Sequence, residues 1–312
     1  MIMHRSDPAL AIRALRSAAP YIRMYKGKTF VVKAGGGVFA EMSTTRALVE
    51  QIGILHYFGV RVVLVHGGGP QLTELSAALG VPTRVVEGRR VTDEKSIDVT
   101  AMVLNGLINT RVLAICRDLN IDAVGISGVD AGLVRAHKRP PVALASNGEV
   151  IDYGFVGDID AVDPTVLNKL VDNGLMPVVS PLSADASGTL LNINADTVAA
   201  AIGAALGAEK LILCTGAPGI LGSVADPGSL ISYTDLRGLN RLREEGRIAD
   251  GMLPKAKAIE EALRGGVRRV HVVSYRSPEG ILGEVFTNEG TGTLIVPDVN
   301  ALSPAEQQPG AP

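Results

Sequence analysis

Lys33 is the first residue of the sequence whose surroundings suggest chemistry. It ends an apolar run, Thr29–Val32, and Gly35, Gly36 and Gly37 follow it closely. Such a run is typical of a buried parallel strand that opens onto a bare-backbone loop. Glycines let the backbone approach a ligand, successive N–H groups form a concave anion site, and the lysine adds a mobile positive charge. These residues predict phosphate binding, although a glycine turn beside a surface lysine has the same pattern.

A second glycine loop repeats this architecture. The apolar run Arg61–Val65 leads to Gly67–Gly69, and Pro70 suits the first turn of a helix. Open α/β sheets bind ligands at the carboxyl ends of their strands, and helix N-termini there favour anions. Two such loops predict a binding site at this edge of a parallel sheet.

Polar and basic side chains precede two further helices. Arg89 and Arg90 come just before a long helix that Asp93 can cap. An arginine there can bind a carboxylate through its forked guanidinium, and a solvated surface pair is the alternative. Asn194 or Asp196 could cap the alanine-rich helix that follows them. The density of polar groups at this strand-to-helix junction also suits a ligand site.

Lys255 is a second lysine with an unusual position. It follows Pro254, which suits the first position of a helix, so the lysine is expected in the first helical turn. A cation there opposes the helix dipole, which suggests a compensating anion. A lysine that points into water remains the alternative.

The rest of the chain alternates apolar strands with helical segments. The helix that opens the chain, from Asp7 to about Ile22, carries an apolar stripe that could face another subunit or its own domain. An excursion with short strands around Val142–Ala145 and Val150–Ile151, joined by an Asn-Gly turn, predicts a β-hairpin. Residues 297–312 are rich in Pro, Ala and Gln and are predicted to be disordered.

Composition narrows the class of protein. The chain has 312 residues, 46% of them hydrophobic, and a net charge of −2, so no basic surface indicates nucleic acid. Cys116 and Cys214 stand in apolar company and are best explained as buried core residues in a reducing compartment. The histidines show no metal-ligand spacing. No signal peptide is evident and no apolar run reaches the ~20 residues of a membrane span, which predicts a cytoplasmic protein.

Together these segments resemble the amino acid kinase family over roughly residues 9–296. The similarity is carried by motifs that occur in the family's order: Val32-Lys33-Ala34-Gly35-Gly36, Val65-His66-Gly67-Gly68-Gly69-Pro70-Gln71, Arg90-Val91-Thr92-Asp93, Asn192-Ile193-Asn194-Ala195-Asp196 and Gly251-Met252-Leu253-Pro254-Lys255. The resemblance implies a three-layer αβα sandwich with a mainly parallel central sheet, a β-hairpin excursion and an N-terminal helix. It divides the chain into a helical extension (1–26), a kinase domain (27–296) and a tail (297–312). Within the domain, residues 27–190 would bind the acceptor and residues 191–296 would bind ATP.

The resemblance also implies a reaction, which is ATP- and Mg²⁺-dependent phosphorylation of the γ-carboxylate of N-acetyl-L-glutamate in arginine biosynthesis. Lys33 and Lys255 would stabilise the transferring phosphoryl group from opposite sides, and Asp196 would orient both lysines. The other implied roles fall to residues that bind phosphate (Gly35, Gly36), acceptor (Gly68, Gly69, Arg90, Asn192) and nucleotide (Thr215, Gly219, Leu221, Gly251, Met252). No protein metal ligand is implied.

Two other functions fit the same motifs. One is phosphorylation of an N-blocked α-aminoadipate in lysine biosynthesis, since one methylene separates the acceptors. The other is a non-catalytic domain that binds arginine, although such domains generally lack the catalytic lysine. The resemblance further implies a homodimer or a hexamer built through the N-terminal helix, with arginine as a feedback inhibitor.

The chain departs from the family pattern at several positions. Gly216 stands where an aspartate that helps hold the nucleotide is common, Thr110 where lysine is common and Asp250 where glycine is common. Glu279 replaces a histidine of the arginine site, whereas Glu284 of that site is kept. Ala34 replaces a bulkier residue, with little expected consequence.

Overall fold

The protein is described by a computed structural model that covers residues 8–301, except 88, 145–147, 224–225, 227, 249–250 and 288–289. The strands are β1 (Thr29–Ala34), β2 (Arg61–His66), β3 (Arg84–Val86), β4 (Arg89–Val91), β5 (Ala123–Ser127), β6 (Val134–Lys138), β7 (Val142–Ala143), β8 (Val150–Ile151), β9 (Gly157–Val162), β10 (Met176–Ser180), β11 (Leu182–Ala184), β12 (Leu190–Asn192), β13 (Lys210–Thr215), β14 (Tyr233–Asp235), β15 (Arg269–Ser274) and β16 (Thr293–Val296). The α-helices are α1 (Pro8–Tyr25), α2 (Met42–Tyr57), α3 (Gly69–Ala78), α4 (Glu94–Ala101), α5 (Asn109–Asp118), α6 (Thr165–Asp172), α7 (Ala195–Ala205), α8 (Leu236–Glu244), α9 (Met252–Arg264) and α10 (Gly280–Phe286).

The central sheet has the strand order β14-β16-β15-β13-β1-β2-β10-β5 among the described residues. Strand β1 pairs in parallel with β2 on one side and with β13 on the other, and β15 is antiparallel to β16. The chain therefore leaves β1 toward one side of the sheet and returns later on its other side. Such a reversal opens a crevice at the carboxyl ends of the strands, which is where α/β proteins bind ligands.

Helices cover both faces of this sheet, because alternate residues of each central strand point to opposite faces. Val31 and Leu211 belong to a core cluster that includes residues of α7 and α9, whereas Val32 and Ile212 belong to a second cluster with residues of α2 and α5. All four side chains are fully buried. These layers confirm the predicted αβα sandwich.

Side-chain caps begin the helices next to the predicted site. Asp93 accepts from the Ser96 amide at 2.8 Å and caps α4. Asn194 accepts from the amides of Asp196 and Thr197 and caps α7. Of the two capping candidates at that junction, the structure selects Asn194, which leaves the Asp196 carboxylate available for other partners.

The long helix that Asp93 is predicted to cap is continuous but not uniform. A π-helical segment, Met102–Ile108, separates α4 from α5. By length and composition alone Glu94–Asp118 could cross a membrane, and half of its most apolar stretch is buried inside the fold. The sequence patterns predict neither the π-helical turn nor a helix long and apolar enough to span a membrane.

The excursion contains more structure than the sequence predicts. Strands β7 and β8 pair in antiparallel fashion and confirm the hairpin, whose predicted turn residue Asn147 lies outside the described residues. A second sheet of order β12-β11-β6-β9 and a small hairpin, β3-β4, stand beside it in the described part of the chain. The two hairpins meet because Val86 and Val91 pack against the cluster that contains Leu144 and Ile151.

One helix boundary near the second lysine differs from the prediction. Helix α9 begins at Met252, so Pro254 is its third residue and not its first. Proline is tolerated throughout the first turn, since no backbone N–H there has an intrahelical acceptor. Lys255 still lies in the first turn, as predicted.

Candidate active site

Three charged residues that are distant in sequence meet at the carboxyl edge of the central sheet. Lys33 Nζ lies 2.9 Å from Asp196 Oδ1, and Lys255 Nζ donates to Asp196 Oδ2 at 2.9 Å. Lys33 comes from β1, Asp196 from the first turn of α7 and Lys255 from the first turn of α9. The lysine that opposes the dipole of its helix thus has a compensating anion, and we call these residues the Lys–Asp–Lys triad.

The triad is buried, and its charges depend on one another. Lys33 and Asp196 are only 5% and 4% exposed. Burial lowers the pKa of Lys33, and the attraction of Asp196 works against that effect. Burial also acts to raise the pKa of Asp196, but the two ammonium groups outweigh it and the pKa lies below its usual range. With two cations and one anion, the triad retains an excess positive charge for an anionic ligand.

The two glycine loops touch each other beside the triad. A methyl group on Gly36 would lie 2.5 Å from Pro70 Cδ and 2.9 Å from the Gly69 amide nitrogen. One on Gly35 would lie 3.6 Å from Lys33 Nζ. The loops therefore pack backbone against backbone, and Gly36 has no room for a side chain. This arrangement confirms that both loops belong to one edge of the sheet.

Arg90 extends from the β3-β4 hairpin to the second glycine loop. Its guanidinium donates to Gly69 O at 3.3 Å, to Thr73 Oγ1 at 2.6 Å and to Thr83 Oγ1 at 3.0 Å. Partial burial lowers the pKa of Arg90, although a guanidinium stays protonated at neutral pH. The arginine is thus held beside Gly69 and is not a freely solvated surface residue.

Asn192 ends β12, four residues before Asp196. Its side-chain amide donates to Thr92 Oγ1 at 3.4 Å, and its backbone amide donates to Phe155 O at 2.8 Å. Thr92 follows the Arg90 strand directly, so the structure connects the two residues for which acceptor binding is predicted. Gly68 is packed differently, because a methyl group there would lie within 2.8 Å of Leu104 and Ile108 in the π-helical segment.

The predicted nucleotide residues lie along the same edge, but in the described part of the chain their hydrogen bonds do not lead to the triad. Thr215 ends β13 and folds back onto Ala217. Gly219 packs against Leu230 and Thr293, and Leu221 forms an isolated β-bridge with Leu230. Gly251 is the residue before α9, and Met252 packs on the core cluster that contains Ile220 and Ile248.

The sequence predicts no separate role in the site for two residues at this edge. Tyr275 lies between the first glycine loop and the loop that follows β13. Methyl groups on Gly37 and Gly216 would be 2.5 Å and 3.4 Å from its hydroxyl oxygen. His66 is fully buried under the second glycine loop, where Asn109 Nδ2 approaches its Nε2 at 3.2 Å and its Nδ1 lies 3.3 Å from Gly67 O. Because Asn109 also donates to Val178 O, Nε2 of His66 must accept and the ring is neutral.

Most departures from the family pattern fall at exposed positions, whereas Ala34 is fully buried in β1. Thr110 and Glu279 are exposed, and Asp250 lies outside the described residues. A methyl group on Gly216 would lie 3.8 Å from the guanidinium carbon of Arg276, so a longer acidic side chain there could pair with that arginine. Glu284, in contrast, is buried and accepts from His271 Nδ1 at 2.7 Å.

Comparisons with known proteins identify the family of this chain. A model of the amino acid kinase family matches residues 28–274. The chain is 48% identical over 296 residues to an acetylglutamate kinase of Myxococcus xanthus, covering 94% of this chain and 96% of that protein. It is 40% identical over 287 residues to an acetylglutamate kinase of Archaeoglobus fulgidus, covering 92% of this chain and 99% of that protein.

Solved structures give the same fold. An N-acetylglutamate synthase from Neisseria gonorrhoeae, complexed with coenzyme A and N-acetyl-glutamate, superimposes with a TM-score of 0.79 at 29% identity. That match covers 92% of this chain but only 63% of the synthase, so the chain spans less than two thirds of that protein. A carbamate kinase from Giardia lamblia bound to AMP-PNP has a TM-score of 0.62 at 17% identity, covers 87% of this chain and 99% of the kinase, and supports the fold alone.

Proposed function

We propose that this chain, which belongs to the amino acid kinase family, transfers the γ-phosphoryl group of ATP to the γ-carboxylate of N-acetyl-L-glutamate. The products are an N-acetylglutamyl acyl phosphate and ADP. The observation that carries the proposal is the Lys–Asp–Lys triad beside the paired glycine loops. Its support from outside the chain is the identity to acetylglutamate kinases over almost their whole length.

The triad suits the electrostatics of this reaction. A carboxylate oxygen forms a bond to the γ-phosphorus while the bond from that phosphorus to the bridging oxygen of ADP breaks. Both reactants are anions, so preorganised cations and dipoles must offset their repulsion in the transition state. Lys33 and Lys255 supply the cations from two different elements. Asp196 holds both lysines in place and keeps them charged in a buried site.

The backbone of the glycine loops completes this environment. In the proposal, Gly35 and Gly36 offer N–H groups to the transferring phosphoryl group, and Gly68 and Gly69 offer them to the acceptor carboxylate. Arg90 binds the α-carboxylate of the acceptor and Asn192 binds its acetamido group. The contact of Gly36 with Gly69 supports a shared site, because it brings the two backbones together where donor and acceptor must meet.

ATP and Mg²⁺ belong to the proposal as co-substrate and metal. Thr215, Gly219, Leu221, Gly251 and Met252 would line the nucleotide, with residues 191–296 as the ATP half and 27–190 as the acceptor half. No cluster of three or more His, Cys, Asp or Glu suited to a metal is found among the described residues, and Asp196 is engaged by both lysines. Mg²⁺, which neutralises phosphate charge, would therefore be held by phosphate oxygens and water.

ADP release measured with and without N-acetyl-L-glutamate tests the function. We expect release that depends on the acid and on ATP with Mg²⁺, and an acid-dependent hydroxylamine-trapped acyl hydroxamate as the product signature. ADP release that is independent of the acid would contradict the proposal, and no ADP release under any of these conditions would favour the non-catalytic alternative. N-acetyl-α-aminoadipate assayed in parallel decides the acceptor, since a higher kcat/KM on the longer acid would assign the chain to the homologous reaction.

Regulation and assembly form a further part of the proposal. Glu284, which the resemblance places in an arginine site, accepts from His271 Nδ1 and from the amides of Thr291 and Gly292, so its carboxylate is already satisfied inside the chain. The exposed start of α1 supports an oligomer, and the two buried free thiols support the reducing environment of the cytoplasm. Activity measured with added L-arginine tests the feedback site, and an unchanged rate would remove it.

A further inference from the structure

A short segment connects the two residues to which the proposed function gives acceptor binding. It is Tyr153–Val156, which follows β8 and precedes β9, and we call it the strap. Thr92 donates its backbone amide to Tyr153 O at 2.9 Å and accepts from the Phe155 amide at 2.7 Å. Phe155 O in turn accepts from the Asn192 amide at 2.8 Å. The strap is therefore hydrogen-bonded on one side to Thr92, the last residue of the segment Arg90–Thr92 that we call the Arg90 arm, and on the other side to Asn192 at the end of β12.

Only glycine fits at position 154, the second residue of the strap. Gly154 has φ of +73°, and a methyl group there would lie 2.2 Å from the carbonyl oxygen of Thr92. That oxygen is a backbone atom, so no change of side-chain rotamer can move it away. Thr92 is also 0% exposed, so the surrounding protein holds its backbone in place. Gly154 thus sets how closely the strap approaches the Arg90 arm.

A side chain fixes the strap from the outside. Asp152 Oδ1 accepts from the Gly154 amide at 2.7 Å, and Asp152 Oδ2 accepts from Lys138 Nζ at 3.2 Å. The amide of Gly154 and the charge of Lys138 hold the pKa of Asp152 below its usual range. Asp152 is half exposed, so its contribution can be removed without opening the core.

We propose that the strap is a positioning element that selects the length of the acceptor. Through Thr92 and Phe155 it fixes the separation between Arg90 and Asn192, and Asn192 stands four residues before Asp196 on one continuous segment. The amino-acid end of the acceptor is thereby held at a fixed distance from the triad. A glutamate side chain then reaches the transferring phosphoryl group, and a side chain longer by one methylene is misplaced. This inference rests on the proposed function.

Gly154→Ala is the direct test, and Gly174→Ala is its matched control. Gly174 has a similar φ of +75°, but a methyl group there meets nothing within 4 Å, so the control carries the same backbone strain without the clash. Gly174 lies between α6 and β10, at the opposite end of the strands from the triad. We expect Gly154→Ala to raise the KM for N-acetylglutamate by about tenfold or more, since small misplacements are costly, with the KM for ATP nearly unchanged.

Discrimination between acceptors separates positioning from general damage. The ratio of kcat/KM for the glutamate over the α-aminoadipate derivative should fall by about tenfold in Gly154→Ala, the scale of one methylene, and should keep its wild-type value in Gly174→Ala. An unchanged ratio in a folded Gly154→Ala protein would overturn the strap proposal and leave the proposed function standing. Wild-type protein that releases ADP without dependence on the acid would overturn both.

Asp152→Ala covers the case in which Gly154→Ala fails to fold. It removes the hydrogen bond from the Gly154 amide to Asp152 at a half-exposed position, and Asp160→Ala removes an exposed carboxylate that pairs with His137 on the neighbouring strand. We expect Asp152→Ala to raise the KM for the acid and lower the acceptor ratio by about threefold, the ~0.7 kcal/mol of a modest hydrogen bond, while Asp160→Ala leaves both unchanged. Equal behaviour of the two variants would contradict the proposal.

Discussion

At the scale of single residues, the site depends on charges that are buried and mutually compensated. Lys33 and Lys255 share the carboxylate of Asp196, and each contact is 2.9 Å long. Buried charges persist only when they are paired, so each member of the triad keeps the others ionised. The same logic applies to His66, which is buried without a charged partner and is therefore neutral.

Lys33→Ala should lower kcat and leave both KM values close to those of the wild type. The lysine is expected to act mainly on the transition state, and losing one preorganised donor costs about 10²–10³ in kcat. Steady-state kinetics with both substrates measures the effect. Lys28→Ala, which removes an exposed lysine just before the same strand, is the control and should retain full activity. An unchanged kcat for Lys33→Ala would remove this lysine from the mechanism.

His66 should make the protein less stable in acid. Burial lowers its pKa from 6.5 to about 4, so the unfolded chain takes up a proton before the folded one does. The stability that His66 contributes is present above pH 6.5 and is lost as the pH falls through the window to about 4. The loss approaches ~3 kcal/mol on the scale of 1.4 kcal/mol per pH unit.

Urea unfolding of the wild type and of His66→Gln at several pH values measures this contribution. The difference between the two free energies of unfolding isolates His66 from the other titrating groups. We expect the wild type to lose stability relative to the variant between pH 6.5 and 4. Parallel pH profiles for the two proteins would show that His66 is not the group responsible.

At the scale of elements, the π-helical segment supports the second glycine loop from below. Leu104 and Ile108 occupy the space that a side chain on Gly68 would need. Asn105 of this segment accepts from Ser180 Oγ in β10, and Asn109, the first residue of α5, binds His66 of β2 and Val178 of β10. An extra residue in a helical turn shifts the side chains that follow it, which brings several of them under the loop.

Gly68→Ala and Gly69→Ala should differ in stability although they are neighbours. A methyl group on Gly68 would lie 2.6 Å from Ile108 Cδ1, whereas one on Gly69 meets nothing within 4 Å. Overpacking of this kind costs about 1–3 kcal/mol, and substitutions without such contacts stay within about 0.5 kcal/mol. Denaturant unfolding gives both values. Equal stability of the two variants would mean that the π-helical segment moves aside freely.

At the scale of the whole molecule, helix α1 packs on its own domain only near its C-terminal end. Tyr25 packs edge-to-face on Phe30 at 5.1 Å, and Tyr21 packs on Phe286 at 6.4 Å, so the end of the helix belongs to the domain. Ile12 and Leu15, nearer its start, are 55% and 59% exposed. Each of the two alternatives that the sequence left open for the apolar stripe thus fits one part of the helix.

For the proposed oligomer, Leu15→Glu should therefore reduce the mass in solution without unfolding the domain. A charge on the exposed apolar stripe opposes its burial against a second subunit, whereas Ser17→Glu adds the same charge beside the stripe, also at an exposed position. Sedimentation velocity at equal concentrations measures the mass, and circular dichroism checks the fold. The same mass for both variants and the wild type would show that this surface is not an interface.

The sequence by itself determined most of the elements and the edge of the sheet at which a ligand site is predicted. Apolar runs that end in glycines identify parallel strands and their loops, and caps such as Asp93 and Asn194 act within three residues, so these signals are local and readable. The family resemblance, and no local pattern, implied that Asp196 orients both lysines, and the tertiary structure brings the three residues together. The strap between Arg90 and Asn192 and the π-helical support under Gly68 were decided by the tertiary structure alone, since they join segments that are distant in the chain. Local patterns carry no record of such contacts, because they depend on how the whole sheet and its covering helices pack.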